Sequence, residues 1–209
     1  AGRPRLITYG YVDEMVNMNY EVSDEELKRN ADLLKQVLNK ANVTTNKVVV
    51  GIPSFSVFSS VISLPAMNKK DLAQAVYWQA KKIVPMPLEE MTLDWKILNR
   101  EKSEKSDKKD KKNEDENKDR KENKEQNKDG NLKILVAAAP KKLVARYIQL
   151  FELLDLELIS LETENFALER ALVGESNNPV MVVDIGSITS DISVVENGIP
   201  VLSRSVDTG

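Results

Sequence analysis

Val180 to Val195 reads Val-Met-Val-Val-Asp184-Ile-Gly186-Ser187-Ile-Thr189-Ser190-Asp191-Ile-Ser-Val-Val, two apolar runs around a turn that carries a carboxylate, a glycine and three hydroxyls. Two buried strands joined this way can hold a phosphate tail. Backbone N–H groups and hydroxyls face the phosphate oxygens, and the aspartate faces a hydrated metal. A plain β-meander with polar turns uses the same residue types, and the types alone leave both readings open. Asn197-Gly198 follows, a strong short hairpin signal. Ile199 to Val206 then reads as a third strand.

Composition narrows the chemistry. The chain has 209 residues, 41% hydrophobic and 30% charged, enough for one sizeable domain or two small ones. A net charge of −3 argues for neither nucleic acid nor an acidic substrate. Cysteine and histidine are both absent. That removes disulfides, thiolate zinc sites, thiol nucleophiles, histidine-dependent triads and histidine-liganded metals from this chain. A metal here would be a hard cation on oxygen ligands. No apolar run reaches the ~20 residues that span a bilayer, and no signal-peptide pattern is present. The chain opens on Ala1 and stops at Gly209 directly after a strand-like run, so it reads as cut at both ends.

The elements that must position the turn follow in order. Leu6 to Val12 is apolar and β-prone and reads as a strand entering from sequence outside this chain. Ser23-Asp-Glu-Glu26 is a capping box ahead of an amphipathic helix over 24–41. Val48 to Ile52 and Val57 to Leu64 read as strands around a turn at Pro53 to Phe55. A helix begins near Asn68, uses Leu72, Ala75, Val76, Gln79, Ala80 and Ile83 as its face, and ends at Pro85-Met-Pro87. Trp78, one residue from that face, reads as a partly buried core aromatic. Met91 to Leu98 alternates like a strand. From Arg100 to Asp129 there are twelve basic and eleven acidic residues and no aliphatic or aromatic one. Such a segment cannot bury enough apolar surface to offset its conformational entropy. Residues 100–131 therefore read as a disordered, solvated insertion at a hairpin tip, where added length costs little. Leu132 to Ala139 is a strand, Pro140 suits the first helical position, and Leu143, Val144, Tyr147, Leu150, Phe151 and Leu154 make one helical face. Glu157 to Leu161 is a strand. Thr163 or Asn165 caps a short helix through Leu172.

In this order the motifs resemble the PilM family of actin-like type IV pilus assembly proteins and, more distantly, the cell-division homologue FtsA. Three blocks carry the resemblance. They are Val48-Val-Val-Gly-Ile-Pro-Ser54 with Val61-Ile-Ser-Leu-Pro65; Tyr77-Trp-Gln-Ala80 with Val84-Pro-Met-Pro-Leu-Glu-Glu90 and Asp94; and Val136-Ala-Ala-Ala-Pro140, Glu162-Thr-Glu-Asn-Phe-Ala-Leu168, Val183-Asp-Ile-Gly186, Thr189, Asp191-Ile192 and Arg204 to Gly209. Ile188 stands where the family usually has a small residue, and Gln79 where a glutamate is usual.

The resemblance implies an α/β fold: part of an actin-like, RNase H-like subdomain 1A with a small α/β subdomain 1C, of SHS2 type, inserted into it. Residues 1–52 and 158–209 would form 1A, and 53–157 would form 1C. It implies that Asp184, Gly186, Ser187, Thr189 and Ser190 form the second phosphate-binding loop for ATP with magnesium, Asp184 acting on the metal through water. Asp191 is open between a structural partner of the loop and a solvent-facing strand residue. The implied role is a cytoplasmic adaptor, peripheral at the inner face of the cell membrane. It would bind the N-terminal cytoplasmic tail of PilN within the inner-membrane pilus assembly complex, with no nucleic acid partner and no membrane span of its own. ATP would serve mainly as a conformational ligand. An FtsA-like polymerising protein and an actin-like ATPase with functional turnover are the alternatives, and no second carboxylate is clearly placed as a base.

Overall fold

A computed structural model of the chain describes residues 5–14, 16, 18–19, 21–98, 131–174, 178–196 and 198–208. The charged insertion expected at 100–131 lies outside these, except for Asn131, which opens a strand.

Helix α1 (Asp24–Lys40) starts at the expected capping box, with Ser23 and Glu26 satisfying each other's backbone N–H groups. Strand β1 (Lys47–Ile52) follows, then β2 (Phe58–Pro65). Helix α2 (Lys69–Ile83) is capped by Asn68, whose side chain accepts from the N–H groups of Lys70 and Asp71. Pro85 and Pro87 stop it, as expected. Strands β3 (Met91–Ile97) and β4 (Asn131–Pro140) pair antiparallel from Met91 opposite Pro140 to Ile97 opposite Ile134, so the insertion does interrupt a hairpin. Strand β2 pairs with the other edge of β4, giving the order β2-β4-β3. Helix α3 (Lys141–Leu153) begins one residue after Pro140, which occupies the cap position and is not itself helical. Strand β5 (Glu157–Thr163) pairs parallel with β1, and α4 (Glu164–Leu172) follows it directly. Strands β6 (Val180–Ile185), β7 (Ser190–Glu196) and β8 (Ile199–Val206) form an antiparallel meander.

Two apolar cores result. In the first, α2 lays Leu72, Val76 and Ala80 on β2-β4-β3, against Ile62, Ile134, Val136 and Ala138. In the second, α3 lays Leu143, Tyr147, Leu150 and Phe151 against Val22, Leu27, Ala31 and Ile52. Each fully buried Val, Leu, Ile or Phe stabilises its core by roughly 1.5–3 kcal/mol. Helix α3 thus packs with α1 in the second core and also touches β3 and β4 of the first sheet. Helical periodicity identifies an apolar face but not its partner. Likewise β5 and β6–β8, both within 158–209, lie in separate sheets.

Two expectations fail. Leu6 to Val12 forms no strand, and Leu6 and Ile7 are 76% and 92% exposed. A strand exists through a pairing partner, and none among the described residues lies beside this segment. Trp78 is 60% exposed and is not a core aromatic, because the buried row of α2 is Leu72, Val76 and Ala80 and Trp78 points away from it.

Candidate functional site

The phosphate-loop candidate is the β6–β7 hairpin. The strands pair from Val180 opposite Val195 to Ile185 opposite Ser190, leaving residues 186–189 as the turn. The Gly186 N–H donates to the Thr189 carbonyl at 3.0 Å. A Cβ added to Gly186 would sit 2.8 Å from that same oxygen. Glycine is required because the backbone folds back too tightly for any side chain. Ser187 and Ile188 are exposed at the tip, and Thr189 is half-buried.

The strand alternation sorts the carboxylates. Asp184 and Asp191 are directly opposite each other and so share the face turned toward α4. Asp184 is half-buried; Asp191 is buried and accepts a hydrogen bond from the Ser205 hydroxyl of β8. Asp191 is therefore not a solvent-facing strand residue, and its partner is Ser205 of β8, not the loop. Ser190, expected to face phosphate, donates its hydroxyl to the Thr208 carbonyl at 2.6 Å. It ties the start of β7 to the chain after β8.

Glu164, at the first turn of α4, faces the same region. Burial pushes its carboxyl up, and the charges of Asp191 and Asp184 push it further. Burial and the Glu164 charge raise the Tyr147 hydroxyl to about 12. Glu164 lies within Glu162-Thr-Glu-Asn-Phe, and its residue type alone does not mark it as part of a site. The available signal was its position where a parallel strand runs straight into a helix, which aims the first helical side chains across the strand ends. Asn165 does not cap α4. It is buried, and its side chain donates to the Ser203 hydroxyl of β8 at 2.8 Å. Thr163 occupies the cap position without a side-chain bond, and the Asn165 N–H donates instead to the Ser54 hydroxyl at 3.3 Å.

Two grooves flank α4. The larger, about 1110 Å³, lies between the β3–β4 sheet and β5–α4, and is lined by Leu93, Trp95, Leu161, Phe166 and Val195 among others. Strand β3 is an edge strand there. Glu162 and Arg170 form a two-bond ion pair on its wall, at 2.6 and 2.8 Å, which holds the Glu162 carboxyl below its ordinary value. The smaller groove, about 360 Å³, combines the hydroxyls of Ser54, Ser59, Thr163 and Ser205 with Phe58 and Phe166.

The sequence profile of type IV pilus assembly protein PilM matches residues 10–113. The fold agrees over nearly the whole chain with a solved PilM-PilN type IV pilus biogenesis complex, at a TM-score of 0.69 and 23% identity, covering 99% of this chain and 53% of that one. This chain belongs to the PilM family. Its fold is a partial actin-like α/β fold. A second solved structure is the cytoplasmic domain of EpsL, an inner membrane component of the type II secretion system of Vibrio cholerae. It matches at a TM-score of 0.54 and 8% identity, over 85% of this chain and 56% of that one. The PilM-family chain described here thus spans about half the length of the structures it matches. No curated protein matches it. No helix among the described residues is long and apolar enough to cross a membrane.

Proposed function

We propose that this chain is the phosphate- and partner-holding part of a PilM-type adaptor for pilus assembly. The adaptor stands at the inner face of the cell membrane. It binds ATP with magnesium through residues 184–190 together with elements outside this chain. It takes the N-terminal cytoplasmic tail of a PilN-type protein into the larger groove, between the inserted α/β unit and β5–α4. ATP acts as a conformational ligand, biasing the protein only by its different affinity for two arrangements.

The observation that carries the nucleotide half is the Gly186 turn. It brings backbone from two strand ends into a tight, exposed loop directly above the half-buried Asp184. This donor set fits a phosphate with its cation. Backbone N–H groups at 187–189 and the hydroxyls of Ser187 and Thr189 would face the phosphates, whereas the Gly186 N–H closes the turn and the Ser190 hydroxyl supports the loop from behind. No three described acidic side chains are arranged to hold a metal directly, so Asp184 would act on magnesium through water. When bound, magnesium neutralises phosphate charge. For the partner half, the open edge of β3 offers unpaired backbone groups to an extended tail, and the groove's apolar lining offers places for its side chains.

The test uses the intact protein and calorimetry with Mg-ATP. Asp184→Ala removes the loop's half-buried carboxylate and is expected to weaken binding about tenfold or more, on the scale of one charge-assisted interaction. An unchanged affinity would overturn the loop assignment.

A further inference from the structure

Helix α2 buries Leu72, Val76 and Ala80. Its opposite side carries Lys70, Gln74, Trp78 and Lys82 at four-residue steps, with Tyr77 and Lys81 alongside, all exposed. The Trp78 and Tyr77 rings are nearly perpendicular with centroids 6.0 Å apart, and the Lys81 ammonium lies 6.0 Å from the Trp78 ring centroid. Lys70, Lys81 and Lys82 outnumber the nearby Asp71 and Glu89 by one, on a chain whose net charge is −3. The Lys81–Glu89 pair, 3.9 Å apart with both side chains more than half exposed, is too screened to neutralise this face.

We propose that this face of α2 docks on a bilayer surface carrying anionic lipids. An exposed tryptophan framed by lysines matches the headgroup level, where the indole enters the interface and lysine stems lie along apolar surface with their ammonium groups on phosphates. A protein partner is a poorer fit, because lysine is depleted at the centre of protein interfaces. The rest of a net-negative chain is repelled by such a bilayer, so the charge distribution also sets the orientation. Each lysine near the surface contributes roughly fivefold in affinity. Alone this is weak. Added to a tether through a membrane protein's tail, it becomes the second point of a two-point attachment. The inference rests on the adaptor reading only for what brings the protein to the membrane.

The test is co-sedimentation of the intact protein, without nucleotide or partner peptide, with vesicles of phosphatidylcholine alone or mixed with phosphatidylglycerol. Binding is expected to the mixed vesicles only, and to fall at high salt. The triple variant K70E/K81E/K82E is expected to lose about a hundredfold or more, and Trp78→Ala several-fold. These side chains lie outside both cores, so folding is checked by an unchanged melting temperature. Absence of binding to mixed vesicles, or equal binding by the triple variant, overturns the proposal. Self-association that Trp78→Ala abolishes, without vesicle binding, assigns the face to a second copy and overturns it too. Calorimetry with Mg-ATP is independent of these outcomes, so the adaptor reading stands or falls separately.

Discussion

Replacing Glu169 by glutamine should make the protein more stable at neutral pH, although it removes a charged group from a helix. Glu169 on α4 is 7% exposed against the β6–β8 sheet. Its Oε1 and the Ser193 hydroxyl face each other, both buried and too poorly aligned for a well-formed hydrogen bond. Burial pushes the carboxyl above its ordinary value of 4.5, with the nearby Ser193 hydroxyl opposing. The folded state therefore holds this proton more tightly than the unfolded state. The resulting stability is fully present below 4.5 and is lost as pH rises through the folded value. At neutral pH the folded protein keeps a desolvated, unsatisfied acceptor, a penalty of roughly 1–3 kcal/mol. Glutamine keeps the shape, stays neutral, and can donate an N–H to Ser193. A gain of about 1–2 kcal/mol is expected, or about 2–8 °C in melting temperature for a chain of this size. The assay is thermal unfolding of the intact protein across pH. The gain should shrink toward zero in acid, where the carboxyl is protonated in both states. A lower melting temperature at neutral pH, or a gain that does not change with pH, would refute the reasoning.

Other substitutions probe the cores and the loop. Ile134→Ala should cost roughly 2–5 kcal/mol in denaturant unfolding and Ile134→Val about 1 kcal/mol, because Ile134 is fully buried at the centre of β2-β4-β3. Equal losses would mean the site collapses without a cavity. Gly186→Ala should weaken Mg-ATP binding to the intact protein, since the added carbon meets the Thr189 carbonyl at 2.8 Å and must open the turn; unchanged calorimetry would show that the turn's shape is irrelevant to binding. Deleting residues 101–129, a segment without aliphatic or aromatic side chains, should leave the unfolding free energy within about 0.5 kcal/mol, and a loss of several kcal/mol would reveal packing that its composition does not predict.

Local rules carried much of this fold. The Ser23–Glu26 box, the Asn68 cap, the proline stop after α2 and the β3–β4 hairpin all depend on residues close in sequence or on simple alternation, and each is where the sequence places it. The assignment of α3 to a core did not follow, because its periodic face fits either sheet and only tertiary packing chooses. Trp78 misled because apolar character suggests burial, whereas helical phase puts it opposite Val76. At the candidate site, the Asp184–Gly186 turn was legible from residue types. The roles of Ser190 and Asn165 were not, since their partners, Thr208 and Ser203, lie 18 and 38 residues away. Asp191 became a structural residue only once register set it beside Ser205.

The pairing of β2 with β4 also has a mechanical side. Phe58 lies opposite Ala138, so the chain enters and leaves the β2-β4-β3 unit through neighbouring strands about 5 Å apart. The two cores are filled by different side chains on either side of that double crossing. The crossing is braced from the side, because α3 also touches β3 and β4, β2 touches β8, and the Lys141 ammonium donates to the Glu89 carbonyl at 2.8 Å. The β2-β4-β3 unit is thus joined to the rest of the chain both by this strand pair and by α3, and the larger groove opens beside the junction.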